Sequence, residues 1–243
     1  MKVNTLRAQA LAETSERVGL DGKWISAESN RLKEKAEKLA HFFPGMANTD
    51  FVGHNLAYWE RRGLPYGASD LGVFIRREAA GDSYPEQVSK ATKILKNEGV
   101  TTKRWGDEYY YSLKSEGRTK MALMHLESVQ KGSVLFVPMD FGKQFNLTIM
   151  AARVVLEESE FMLGNFEIAC ELLVQRKWLE LPTVKIVCAG DTYDPGIDAD
   201  YKLVPMYARD EHSPEEGKLY PERVHVSQAD KEGVWRMPVG FSH

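Results

Sequence analysis

The front of the chain places apolar residues at helical spacing among charged ones. Ser26 is predicted to cap one such helix, and Pro44-Gly45 ends it. Its apolar stripe comprises Leu32, Ala36, Leu39, Ala40 and Phe43, and its solvent face comprises Lys33, Glu34, Lys35, Glu37 and Lys38. A shorter amphipathic segment precedes it, with Leu6, Ala10, Leu11 and Val18. The pattern predicts an N-terminal helical arm over residues 1–48, which either packs on the body or forms a dimer contact.

Two further helices are predicted before the middle of the chain. The first covers residues 50–62 and the second residues 70–80, and glycines follow both of them. The apolar residues predicted to face inward are, in chain order, Phe51, Leu56, Trp59, Leu71, Phe74 and Ile75.

The stretch from Ser83 to Leu113 carries the strongest local pattern. Ser83 can accept a backbone N–H of the first turn, and Glu86 three residues later completes a capping box. Val88, Ala91 and Leu95 recur at helical spacing, and Gly99 supplies a left-handed residue at the end. Residues 100–113 then hold a β-branched run, a Gly-Asp pair and three tyrosines. The stretch is therefore predicted to be a capped helix over 84–98 followed by a hairpin.

Three helices followed by a hairpin resemble the winged helix-turn-helix domain, here over about residues 50–114. The resemblance implies that the helix at 84–98 enters the major groove of DNA and that the hairpin touches the backbone as a wing. By position, the implied base-facing residues are Gln87, Ser89, Lys90 and Lys93, and the implied phosphate contacts on the wing are Lys103 and Arg104. Lys96 lies on the same helix face. The expected function is that of a regulatory protein that binds double-stranded DNA.

Charge is distributed unevenly along the chain. Residues 1–156 hold 23 Lys/Arg and 18 Asp/Glu, a balance of +5, whereas residues 157–243 hold 9 and 17, a balance of −8. Residues 84–104 contain five Lys/Arg and two Glu residues, which is a local charge of +3. Such a helix face can neutralise phosphates, and it can equally be an ordinary solvated face.

The second part of the chain is predicted to mix helices and strands. Residues 119–130 form a helix with Met121, Met124 or His125, and Val129 on its packed side. Residues 133–139 and 184–189 are apolar runs typical of buried strands, and helices starting near Asn146 and at Asn165 lie between them. This order predicts a βαβ-like unit with parallel strands. Later strands are expected at 201–208, where Pro205 indicates an edge or a bulge, at 223–227 and in the last residues.

Together these elements predict an α+β protein. Its N-terminal half is helical and contains the winged-helix-like unit, and its C-terminal half is mixed α/β. The predicted parts are an arm over 1–48, the winged-helix-like unit over 49–118 and an α/β region over 119–243.

Two other functional classes remain open. Asp140 and Asp191 follow the two predicted parallel strands, and Asp194 and Asp198 continue the second loop, so these oxygens could hold Mg²⁺ or Ca²⁺ in an enzyme. Asp-Pro-Gly clusters are also common in ordinary turns. The third class is an assembly protein built on the long amphipathic helices. No nucleotide-binding, hydrolase or zinc-protease motif occurs in the chain, and no cofactor is indicated.

The remaining composition indicates a cytoplasmic protein. No run approaches about 18 apolar residues, and the N-terminus lacks the apolar core of a signal peptide. The two cysteines, Cys170 and Cys188, lie in apolar contexts far from any CxxC pattern. They are expected to be buried thiols, as in a reducing compartment.

Overall fold

Seven helices and ten strands make up the part of the chain that the computed structural model describes, namely residues 22–45, 47–101, 113–143, 147–176, 185–193, 203–209, 219–225, 227 and 235–242. The helices are α1 Gly22–Phe42, α2 Val52–Arg62, α3 Arg77–Ala80, α4 Tyr84–Asn97, α5 Gly117–Val129, α6 Ile149–Val155 and α7 Asn165–Val174. Helices dominate the first half of the described residues. The predicted α+β class is confirmed.

The strands form three sheets. They are β1 Asp70–Ile75, β2 Leu113–Ser115, β3 Val134–Asp140, β4 Glu160–Met162, β5 Lys185–Val187, β6 Asp191–Tyr193, β7 Leu203–Arg209, β8 Leu219–His225, β9 Trp235–Arg236 and β10 Val239–Phe241. One sheet has the order β1-β3-β10-β4, a second pairs β2 with β6, and a third has the order β8-β7-β5-β9. Every pairing among these strands is antiparallel except that of β5 with β9.

Helix α1 follows its predicted stripe with two corrections. Leu32, Ala36 and Leu39 are buried, and the left-handed Gly45 follows the end of the helix. The helix begins at Gly22, so Ser26 lies inside it and donates its hydroxyl to the Gly22 carbonyl instead of acting as a cap. Lys35 is buried and not on the solvent face, because it meets Glu171 of α7 at 3.1 Å.

The predicted helix over 70–80 is wrong in its first half. Asp70–Ile75 is strand β1, paired along its whole length with β3, and only the last turn is helical. All six residues of β1 are buried, so the strand is covered on both faces. Its apolar run therefore shows no alternation of apolar and polar residues that would distinguish a strand from a helix. The partner strand β3, whose pairing selects the strand, lies about 60 residues further along the chain. Of the two predicted helices directly ahead of the hairpin, the first is reduced to the turn Arg77–Ala80 and the second is present as α4.

The predicted parallel βαβ unit is also wrong. β3 and β5, its two strands, belong to different sheets. Pro205 was expected at an edge or a bulge, yet β7 lies between β8 and β5. The Pro205 carbonyl accepts from Cys188 N, one residue beyond the end of β5. Pro205 therefore lies where the pairing of β5 with β7 ends, and its lack of an N–H costs no hydrogen bond within that pairing.

Two predicted inward faces are only partly correct. Phe51 is exposed at the start of α2, whereas Leu56 and Trp59 are buried. Helix α5 packs through Thr119, Leu123 and Leu126 and exposes Met121 and Met124. Helix α6 likewise exposes Met150 and Val154. Apolar residues occupy several sides of α5 and α6, so periodicity alone does not select the side that meets the sheet. The arm segment 6–18 and hairpin residues 102–112 lie outside the described residues.

Gly190, between β5 and β6, lies directly against the backbone that follows β4. Its N–H donates to Leu163 and its carbonyl accepts from Glu116 N, and a Cβ at this position would lie 2.3 Å from the Met162 carbonyl oxygen. We expect Gly190→Ala to lower the free energy of unfolding by about 3 kcal/mol, because backbone atoms would have to move. Gly53→Ala in α2, where a Cβ meets nothing, is the control and should gain up to about 1 kcal/mol. Equal urea-unfolding curves for both variants would contradict the expectation.

Candidate functional site

Helix α4 is built as its sequence predicts. Ser83 Oγ accepts from Glu86 N at 3.4 Å, and Glu86 reaches back to the N–H of Asp82, one residue before the predicted partner. Val88, Ala91 and Leu95 are buried, and Gly99 has φ of +67° at the end of the helix. These contacts hold one side of α4 against the protein and turn the opposite side to solvent.

The residues predicted to contact DNA fall into three groups. Lys93 and Lys96 are exposed, and Ser89 and Lys90 are half-buried on the same helix. Gln87 does not belong to this face, because it is buried and donates its side-chain amide to the Gly81 carbonyl at 2.8 Å. Lys103 and Arg104 lie outside the described residues.

Two further cations meet the C-terminal end of α4. Arg176, just after α7, donates to the Glu98 carbonyl at 3.3 Å and lies 3.8 Å from the Glu98 carboxylate. Lys38 of α1 is exposed, and its pKa is lowered by partial burial and by the positive charge of Arg176. Lys38, Lys93, Lys96 and Arg176 thus form an α4 cationic surface drawn from three parts of the chain, with Glu98 as a counter-charge.

The carboxylates predicted to share a metal do not come together. Asp140 ends β3, where its Oδ1 accepts from Ser69 Oγ and from Gly142 N at 3.2 Å each. Asp191 begins β6 in another sheet and has different partners. Asp194 and Asp198 lie outside the described residues. Within the part of the chain that the structure describes, no three His, Cys, Asp or Glu side chains form a metal-binding group.

Asp191 instead belongs to a buried polar network. Its Oδ1 accepts from Tyr84 OH at 2.5 Å and its Oδ2 accepts from Asn165 N at 2.8 Å. Burial raises the pKa of Asp191 to about 7, although both hydrogen bonds oppose the shift. Burial and the neighbouring Asp191 also raise the pKa of Tyr84.

Arg77 and Glu167 form the second half of this network. Arg77 donates to both carboxylate oxygens of Glu167, at 2.8 and 3.0 Å. The Arg77 guanidinium also lies 4.4 Å from the centre of the Tyr84 ring. Burial disfavours the charge of Arg77, but Glu167 and the other nearby groups outweigh it, so the pKa is raised. Sequence reasoning missed this network because its four members come from four separate segments.

A second ionic cluster joins α1 to the β1 sheet. Asp70 accepts from Arg31 at 2.9 Å and lies 3.7 Å from Lys35, which also meets Glu171. Burial opposes ionisation of Asp70, but Lys35 and Arg31 together lower its pKa. Burial raises the pKa of Glu171. This cluster pairs charges of the packed elements α1, β1 and α7, so we assign it a structural role.

Both predicted buried thiols are confirmed. Cys170 and Cys188 are buried and not disulfide-bonded, and burial raises the pKa of each. Among the helices that the structure describes, none is long and apolar enough to cross a membrane.

Comparisons with known proteins assign no family to this architecture. No family model, no curated protein and no solved structure gives a significant match to the chain.

Proposed function

We propose that this protein binds nucleic acid, in the first instance double-stranded DNA, through the α4 cationic surface. The observation that carries the proposal is the convergence of Lys38 and Arg176 on the exposed end of a helix that already presents Lys93 and Lys96. Cations gathered on one side of a helix favour phosphate as a partner.

The dimensions of α4 are compatible with this role. The helix has 14 residues and is therefore about 21 Å long, and the DNA major groove admits a helix. Its packed side contacts α7 and β2, so binding would not require the helix to leave the protein. Because Asp70–Ile75 is a strand, the proposal depends on the cations of α4 and its neighbours and not on winged-helix architecture.

The test is fluorescence anisotropy with a labelled generic duplex at about 50 and about 200 mM salt. If four phosphates are neutralised, the affinity should fall by about 100-fold between the two conditions. Lys93→Glu/Lys96→Glu should weaken binding at low salt and reduce the slope of the log–log plot by about two.

The matched control reverses two charges elsewhere. Arg61→Glu/Lys131→Glu changes exposed residues at the end of α2 and after α5, and it should leave most of the affinity intact. Circular dichroism of each variant verifies folding. Equal losses in both double variants, or no binding at about 50 mM salt, would overturn the proposal.

A further inference from the structure

A cavity of about 580 Å³ lies between the beginning of α4, strand β2 and helix α5. Its volume is in the range of small-molecule sites, about 300–1,000 Å³. Pro85, Leu113, Leu123 and Met124 provide apolar walls, and Tyr84 adds its ring. The cavity therefore suits a ligand with an apolar body.

The polar walls of the cavity are rich in hydrogen-bond acceptors. Glu78, Asp82 and Glu127 line it. Gln87, which is only 6% exposed, also lines it. Its Nε2 donates to the Gly81 carbonyl, and its Oε1 has no hydrogen-bond partner. A buried acceptor without a partner is costly, so a ligand that donates a hydrogen bond there would gain affinity.

Each cation that lines the cavity is either engaged by Glu167 or matched by an exposed carboxylate. Arg77 is already engaged by both oxygens of Glu167. Lys114 and Lys120 are exposed, and so are Glu78 and Asp82, so two cations and two carboxylates balance one another at the solvent side of the cavity. The less exposed part of the cavity thus carries the half-buried Glu127 carboxylate and the unpartnered Gln87 Oε1, and Arg77 there already has the carboxylate of Glu167.

Glu127 shows the effect of this imbalance. Burial raises its pKa, Arg76 opposes the shift, and the negative charge of Glu78 adds to it. A second cation near Glu127 would relieve the repulsion between the two carboxylates.

We propose that the cavity binds a small organic cation, namely a primary ammonium on an apolar or aromatic body. The ammonium donates to Glu127 and to Gln87 Oε1, and the apolar body contacts Leu113 and Leu123. This site is separate from the α4 cationic surface and does not depend on DNA binding.

The experiment is isothermal titration calorimetry of the full chain with 2-phenylethylamine. 2-Phenylethanol has the same body without the charge, and phenylacetate carries the opposite charge. We expect saturable binding of the amine with Kd on the order of 1 mM, as suits a very small ligand. The alcohol should bind at least about tenfold more weakly, because it lacks a charge-assisted hydrogen bond.

Glu127→Gln should weaken binding of the amine at least about tenfold. Glu158→Gln removes an exposed carboxylate away from this cavity and should leave binding unchanged. Thermal melting of both variants reports folding. No saturable binding of the amine below about 20 mM, equal effects of the two substitutions, or tighter binding of phenylacetate would each overturn the assignment. None of these outcomes bears on the duplex titration.

Discussion

Replacing Glu167 with glutamine is expected to lower the free energy of unfolding by about 3–5 kcal/mol. The substitution leaves the Arg77 guanidinium, whose side chain is only 14% exposed, without the carboxylate that now receives two of its hydrogen bonds, at 2.8 and 3.0 Å. Breaking one side of a buried ion pair costs this much because the remaining charge is uncompensated. Urea unfolding monitored by tryptophan fluorescence measures the change.

Two further variants sharpen this test. Arg77→Met/Glu167→Met removes both charges and should recover most of the loss, since a buried pair contributes little beyond an apolar replacement. Arg176→Met breaks a half-exposed pair with Glu98 and should change stability by less than about 1 kcal/mol. Arg77→Met and Glu167→Met are also measured separately. If the double variant is as unstable as the sum of these two, the pair is not coupled and the interpretation fails.

The contribution of Asp191 to the stability of the protein is expected to fall between about pH 4 and pH 7. Its pKa is about 7 in the folded state, against about 3.9 in an unfolded chain. In that window the folded state binds the proton and the unfolded state releases it, so this stabilisation is complete below about pH 4 and lost as the pH rises through 7. The difference of about three units between the folded and unfolded pKa corresponds to about 4 kcal/mol of unfolding free energy.

Asp191→Asn isolates this contribution from the other titrating groups. Asparagine keeps the shape of the side chain and cannot ionise. The unfolding free energy of the variant minus that of the wild type should therefore increase by up to about 4 kcal/mol from pH 4 to pH 8. Asp50→Asn, at an exposed carboxylate, is the control. A difference that is the same at both ends of the pH range would show that Asp191 is ionised in the folded protein throughout.

The buried network of Arg77, Tyr84, Glu167 and Asp191 forms part of the wall of the cavity. Arg77 and Tyr84 line the cavity, whereas Glu167 and Asp191 lie behind them. Because Arg77 is hydrogen-bonded to the Glu167 carboxylate, its guanidinium is not available to bind a ligand in the cavity. Loss of amine binding in Glu167→Gln alongside loss of stability would reflect this shared wall, and for that reason Glu127→Gln is the better test of the site.

The candidate surface was predictable in part. Lys93 and Lys96 lie opposite the apolar stripe of α4, so their exposure follows from helical spacing alone. Gln87 lies four residues before Ala91, so the same spacing places it beside the apolar stripe, where it is buried and donates to the Gly81 carbonyl. Arg176 reaches the end of α4 only because α7 packs against that helix, and no local pattern contains this information.

Local sequence specifies the helices α1, α2 and α4, the stop at Gly99 and the apolar β3, because these features depend on residues within a few positions of one another. Tertiary structure decided whether 70–75 is helix or strand, which side of α5 packs, and which strands share a sheet. It also gathered Arg77, Tyr84, Glu167 and Asp191 into one network. Such outcomes depend on the burial of surfaces supplied by distant segments, and burial is a property of the whole fold.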